Sequence, residues 1–121
     1  MKTAPKFIKV PQPPQNAVGA TWSPNTDVYE VAGGLVIKVE ISGMKKEELE
    51  LSIEENRVRI SGHRPDGCRS PGCRFLVMEI NYGHFESVIE LPPGYALALA
   101  TASYQNGFLR IDVPHASTEI G

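Results

Sequence analysis

The sequence predicts an all-β chain: an immunoglobulin-like β-sandwich with a flexible N-terminal arm before it and a short C-terminal tail after it. Three observations predict this. First, the run Ala102-Ser103-Tyr104-Gln105-Asn106-Gly107-Phe108-Leu109 joins two strand-like stretches through Asn-Gly. Both turn residues tolerate φ > 0, so a two-residue turn there matches the twist of the flanking strands. Second, several runs alternate apolar and polar with period two, the mark of a strand with one dry and one wet face. Third, these runs recur about every ten residues, divided by Gly, Pro and Asn, as a sandwich requires.

Each element can be justified in turn. Residues 1–21 hold four prolines, at 5, 11, 13 and 14, with little periodicity, so they read as a flexible arm. Phe7, Ile8 and Val10 are its apolar cluster and its candidate contacts with partner proteins. The sandwich is expected over 22–114. Gly33-Gly34 turns the chain into Leu35-Val36-Ile37-Lys38-Val39-Glu40-Ile41, which puts Leu35, Ile37, Val39 and Ile41 on one face. Met44 to Leu49 is too short for a stable helix and reads as a helical turn. Leu49, Leu51 and Ile53 form an apolar ridge on the next strand, and Glu55-Asn56 turns into Arg57-Val58-Arg59-Ile60. Phe85 to Leu91 alternates until Pro92-Pro93-Gly94 stops it. Ala96 to Ala100 fits a helix or a strand by composition. Leu109, Ile111 and Val113 alternate in the last strand, and 115–121 form the tail.

The same residues carry a family resemblance. The pattern A-x-x-x-N-G-x-L closed by Val113-Pro114 resembles the signature of the α-crystallin domain of small heat-shock proteins, in its bacterial and plant branch. Trp22-x-Pro24 before Asp27-Val28-Tyr29-Glu30, Val39 to Met44 before Lys46 to Leu49, Ile60-Ser61-Gly62, and Tyr82-Gly83-x-Phe85-Glu86 fill out the resemblance in the family's order, from Trp22 to Pro114. It implies a short turn at 96–100, then a strand ending near Tyr104. It implies an ATP-independent holdase that binds unfolding proteins, needs no cofactor and catalyses nothing. It also implies a groove between the strand at Leu49–Ile53 and the strand at Ala100, Ala102 and Tyr104, which accepts an extended tail or a client segment. The composition is compatible: small residues beside large ones leave a concave apolar surface for alternate anchors.

The stretch Phe75-Leu76-Val77-Met78-Glu79-Ile80 is apolar on both faces, so it reads as a strand buried on both sides. By resemblance it crosses to an edge strand of a second subunit and makes a homodimer. Phe75, Leu76, Val77, Met78 and Ile80 are thus the expected dimer residues; a strand within the same chain is the less favoured alternative.

Composition narrows the remaining classes. Charged residues are 21% of the chain and the net charge is −2, which argues against a nucleic-acid surface. No apolar run is long enough to span a membrane, and no apolar segment follows the basic first residues, so a cytoplasmic location is the default. No G-x-x-x-x-G-K-[ST], G-x-S-x-G or H-E-x-x-H appears. Cys68 and Cys73 lie in a loop rich in Pro and Gly. Their spacing is not that of a usual zinc knuckle, and a site from His63, Cys68, Cys73 and His84 is disfavoured. Inert loop thiols are the first reading. A small disulfide, or redox sensitivity promoted by Arg69 and Arg74, is the second. Against the holdase stand a co-chaperone-type adaptor that binds one folded partner, and a thiol or metal enzyme. In the tail, Ile120 is the aliphatic anchor and position 118 is Thr where the family carries a second anchor. Burying one Ile is worth roughly 1.5–3 kcal/mol, so a dimer or a loose higher oligomer is expected.

Overall fold

A computed structural model describes residues 8–9, as backbone, and 22–117. Among the described residues, eight strands make two four-stranded antiparallel sheets. They are β1 (Ile8–Lys9), β2 (Thr26–Val31), β3 (Gly34–Glu40), β4 (Glu50–Glu54), β5 (Arg57–Arg64), β6 (Gly83–Glu90), β7 (Thr101–Gln105) and β8 (Phe108–Pro114). One sheet has the order β1-β6-β5-β4, the other β2-β3-β8-β7. The fold is the predicted β-sandwich.

Alternation decides which faces meet. Leu35, Ile37 and Val39 of β3 pair with Val113, Ile111 and Leu109 of β8, and all six are buried. In the other sheet the same role falls to Val58 and Ile60 of β5 and to Phe85 and Ile89 of β6. Ile41, Leu91, Leu97 and Trp22 close the ends of this core. The outer face of β5 and β6 is wet and charged, with Arg57–Glu90 at 3.3 Å and Arg59–Glu86 at 3.6 Å. Such exposed pairs contribute about 0–1 kcal/mol each, so the apolar face decides the fold.

The turns follow their residues. Asn106 and Gly107 sit at φ 52° and 82°, joining β7 to β8 through the pair Gln105 and Phe108. The Ile41 N–H donates to the Gly107 carbonyl at 2.8 Å, and the Tyr104 hydroxyl donates to the Ile41 carbonyl at 2.6 Å. Both apolar ambiguities resolve as 3₁₀ turns, at Lys46–Glu48 and at Leu97–Leu99. Glu48 accepts from the Lys45 N–H at 2.8 Å, which fixes the first of them.

Four readings change. The arm expected over 1–21 contains a short strand: Ile8 and Lys9 pair with Glu90 and Ile89 of β6. Two residues carry no periodicity, so this pairing left no pattern to read. The turn before β3 is Ala32-Gly33, with Gly34 already paired to Val31. Val36 is buried although it faces outward, between Tyr29 and Asp112 on the neighbouring strands. Finally, the alternative of an intrachain strand falls: Phe75, Leu76, Val77, Met78 and Ile80 form no strand within the chain. They are the exposed part of the 65–82 loop between β5 and β6. A strand needs a neighbour to satisfy its backbone, and none lies beside this segment in its own subunit.

Gly62 pairs with Phe85, whose fully buried ring folds across it. A Cβ at 62 would fall 2.7 Å and 2.9 Å from ring atoms of Phe85. Gly62→Ala should therefore lower stability by about 1–3 kcal/mol through overpacking. Urea unfolding of the two proteins would measure it, and an unchanged midpoint would show that Phe85 has room to move.

Candidate functional site

The candidate site lies on sheet edges. β4 ends one sheet and β7 ends the other. Leu51 and Ile53 of β4 pair with Ile60 and Val58, so their side chains lie on the core side of their sheet. They nevertheless stay 37% and 47% exposed. Ala102 and Tyr104 of β7 pair with Ile111 and Leu109, and so also lie on the core side. Ala102 is exposed and Tyr104 half-buried. Leu49 and Ala100 sit just outside the two strands, as the residues that close the 3₁₀ turns, and pack against the core. The six predicted groove residues thus fall into two inward-facing apolar sets on two unpaired edges. The hydrogen bonding of the sheets does not join one edge to the other.

The predicted dimer segment supplies five of the eleven exposed large hydrophobic residues among the described residues. Leu76 and Val77 are 85% and 76% exposed, and Phe75, Met78 and Ile80 are also open. Monomeric proteins rarely leave such a contiguous patch in water. β2 is a free sheet edge as well, with Tyr29 and Val31 exposed on it. The sequence offered Asp27 to Glu30 only as a strand; an edge shows itself once the sheet order is known.

Arg64, which no sequence pattern singled out, ties down both ends of the loop. Its guanidinium donates to the Asn81 carbonyl through Nε at 2.9 Å and Nη2 at 2.6 Å, and to the Ser42 carbonyl through Nη1 at 3.3 Å. It also lies 4.4 Å from the centre of the Trp22 ring, a cation–π distance. Trp22 in turn donates Nε1–H to the Gly83 carbonyl at 3.1 Å and packs on Phe85 at 5.3 Å. A cleft of about 390 Å³ lies at this point, lined by Trp22, Glu40, Ser42, Arg64, Glu79 and Asn81 among others.

The loop cysteines are not free thiols: Cys68 and Cys73 form a disulfide, which corrects the first reading. The pairing depends on the loop's conformation, which spacing alone does not set. His63 and His84 are opposed across β5 and β6 and exposed, apart from the cysteines' bond. Among the described residues, no three of His, Cys, Asp or Glu come together as metal ligands. Tyr95 has its pKa raised, by burial first and then by its hydrogen bond to Glu30 at 2.9 Å. It stacks on His115. Phe7, Val10 and Ile120 lie outside the described residues. No helix among the described residues is long and apolar enough to cross a membrane.

The profile of the Hsp20/alpha crystallin family matches residues 27–120. The chain belongs to this family. A bacterial relative, small heat shock protein C2 of Rickettsia felis, is 26% identical over 91 residues, 75% of this chain and 59% of that protein. A plant relative, the 22.0 kDa heat shock protein of Arabidopsis thaliana, is 34% identical over 94 residues, 77% of this chain and 48% of that protein. The chain thus spans about half the length of these relatives. The solved structure of a small heat-shock protein from Xylella fastidiosa superposes with a TM-score of 0.75 at 25% identity, covering 84% of this chain and 94% of that one. The fold is therefore the α-crystallin domain of the small heat-shock proteins, as the ordered motifs imply.

Removing the Arg64 head group should loosen the loop before it loosens the sandwich. In Arg64→Met three hydrogen bonds to carbonyls are lost, at a cost of about 1–3 kcal/mol. Amide exchange should quicken at residues 65–82 and stay slow in β3 and β8. Uniform protection in the variant would mean that the loop is held by other contacts.

Proposed function

We propose that this protein is an ATP-independent holdase: it binds unfolding proteins through exposed apolar surface and slows their aggregation. The observation that carries the reading is that Leu51 and Ile53 face the core side of an unpaired edge strand and yet stay open to water. Such side chains gain from an added occupant. An extended segment laid along the edge supplies backbone hydrogen bonds, and its alternate side chains fill the gap between large and small residues. In this reading Leu49, Leu51 and Ile53 form one wall of the groove, and Ala100, Ala102 and Tyr104 the other. Holding an exposed apolar segment depletes the aggregating species by mass action, with no chemical step. The protein is not an enzyme in this reading and acts in the cytoplasm.

Two further parts belong to the proposal. Phe75 to Ile80 leaves its own subunit and pairs with the free edge of β2 in a second copy, which covers an edge and an apolar patch at once. Family membership and the exposure of both surfaces support this. Phe7, Ile8 and Val10 are proposed as further client contacts. Ile120 is proposed as a single tail anchor, which gives a dimer that associates only loosely into larger particles.

Substoichiometric protein should suppress heat-induced light scattering of a model client without ATP. Scattering that stays unchanged at a several-fold excess would overturn the holdase reading. Leu51→Ser with Ile53→Ser should weaken suppression several-fold while leaving the fold intact by circular dichroism, since both side chains are exposed. Full suppression by this variant would move client binding away from β4. Separately, Val77→Asp with Met78→Asp should sediment as a monomer; a persistent dimer would point to another interface.

A further inference from the structure

Cys68 and Cys73 close a small ring inside the loop that carries the exposed apolar segment. Cys73 stands two residues before Phe75 and is itself exposed, while Cys68 is half-buried. Arg69 and Arg74, both exposed, each directly follow one of the cysteines, Arg69 inside the ring and Arg74 outside it. Neighbouring cations stabilise thiolates, and the thiolate is the form that exchanges with disulfides.

The ring also limits how far the loop can reach. Arg64 and Gly83 are paired neighbours at the loop's base. For Phe75 to Ile80 to leave as a strand, the chain from Gly83 out to Phe75 must extend over eight steps, about 26 Å at the usual rise. The other arm, from Arg64 to Phe75, must span the same distance. With free thiols it has eleven steps, about 36 Å of reach. With the bond closed, the five steps from Cys68 to Cys73 shrink to a Cα separation of 5.7 Å. The remaining six steps add about 20 Å, so the clipped arm reaches about 26 Å only if every residue is fully extended in one line. It is not built that way. Cys68 N–H donates to the Asp66 carboxylate at 3.1 Å, a local turn, and Arg69 Nε donates to the Asp66 carbonyl at 3.1 Å.

We propose that the Cys68–Cys73 pair is a redox-modification site that sets whether the Phe75–Ile80 segment can leave its own subunit and pair with a second copy. The inference rests on the strand-exchange reading above. Reduction opens the ring and favours the dimer; oxidation closes it and favours the monomer. The reacting partners are dithiols and small disulfides. A dithiol's thiolate attacks one sulfur to give a mixed disulfide, and its second thiol displaces the cysteine. The bond between Cys68 and Cys73 is broken, both cysteines leave as thiols, and the reductant takes up the lost bond as its own disulfide. Two electrons and two protons pass to the protein. Oxidation is the reverse, with a small disulfide reduced to two thiols.

The test is sedimentation velocity of the full chain over a dilution series, once after dithiothreitol and once after oxidised glutathione, with intact mass confirming the thiol state. The dimer dissociation constant should rise by about tenfold or more on oxidation. The double variant Cys68→Ser with Cys73→Ser should match the reduced protein under both treatments, and circular dichroism would confirm its fold. Equal constants in the two states, a tighter oxidised dimer, or a double variant that still responds would overturn the proposal. Val77→Asp with Met78→Asp separates the two ideas. If that variant loses the dimer while redox state has no effect, only the switch fails. If it keeps the dimer, the strand-exchange reading fails and the switch with it.

Discussion

The apolar seam between the two sheets is what the rest of this molecule depends on. Leu35, Ile37 and Val39 on one side, and Val58, Ile60, Phe85 and Ile89 on the other, lie in the interior because each strand alternates in register with its neighbours. A slip of one residue in β3 or β8 would turn the buried set outward, so the seam fixes register as well as stability. It also fixes where the seam ends. β4 and β7 are the last strands of their sheets, and their inward-facing residues run out of opposing partners there. The candidate groove is thus the margin of the core, left uncovered by the same packing that fills the middle.

An open sandwich leaves edges, and edges invite pairing. This chain treats its edges differently. One side of β6 is met by β1 at Ile89 and Glu90, and by Trp22 at the other end through hydrogen bonds with His84 and Glu86. Among the described residues β2 has β3 as its one strand neighbour, and the 65–82 loop carries exposed apolar residues without a strand partner. Edge and segment are complementary in need: one lacks a neighbour, and the other lacks both a neighbour and cover. The intersubunit pairing proposed above would meet both needs with residues already present.

Much of this was legible in the sequence because it rests on local chemistry. Asn106 and Gly107 specify their turn wherever they stand between strands, and the alternation of Leu35, Ile37 and Val39 identifies a core face. The 3₁₀ turn at Lys46–Glu48 was visible as a stretch too short for a helix, whereas the one at Leu97–Leu99 was ambiguous by composition and only the family resemblance implied a turn there. What stayed hidden depends on contacts distant in sequence. Val36 is buried by its cross-strand neighbours Tyr29 and Asp112, which no period-two pattern can announce. Arg64 looked like one more charge in the Pro- and Gly-rich loop until the fold brought Trp22, Ser42 and Asn81 around it. For the candidate groove the residue types were legible, while the core-side placement of Leu51 and Ile53 and the exposure they keep there were not. Phe75 to Ile80 carries the pattern of a strand without the neighbour that would make it one, so the pattern describes a capacity that the lone chain does not use.

The way Arg64 holds the loop has an evolutionary consequence. Its acceptors at Ser42 and Asn81 are main-chain carbonyls, which every amino acid supplies. The tether therefore does not depend on side-chain identity at either position. As far as this tether is concerned, the residues between Pro65 and Ile80 are unconstrained, because the contacts that hold the base of the loop do not involve them. The loop is thus a cassette on a fixed mount: main-chain contacts hold its base, and its apolar residues take no part in the core of the sandwich.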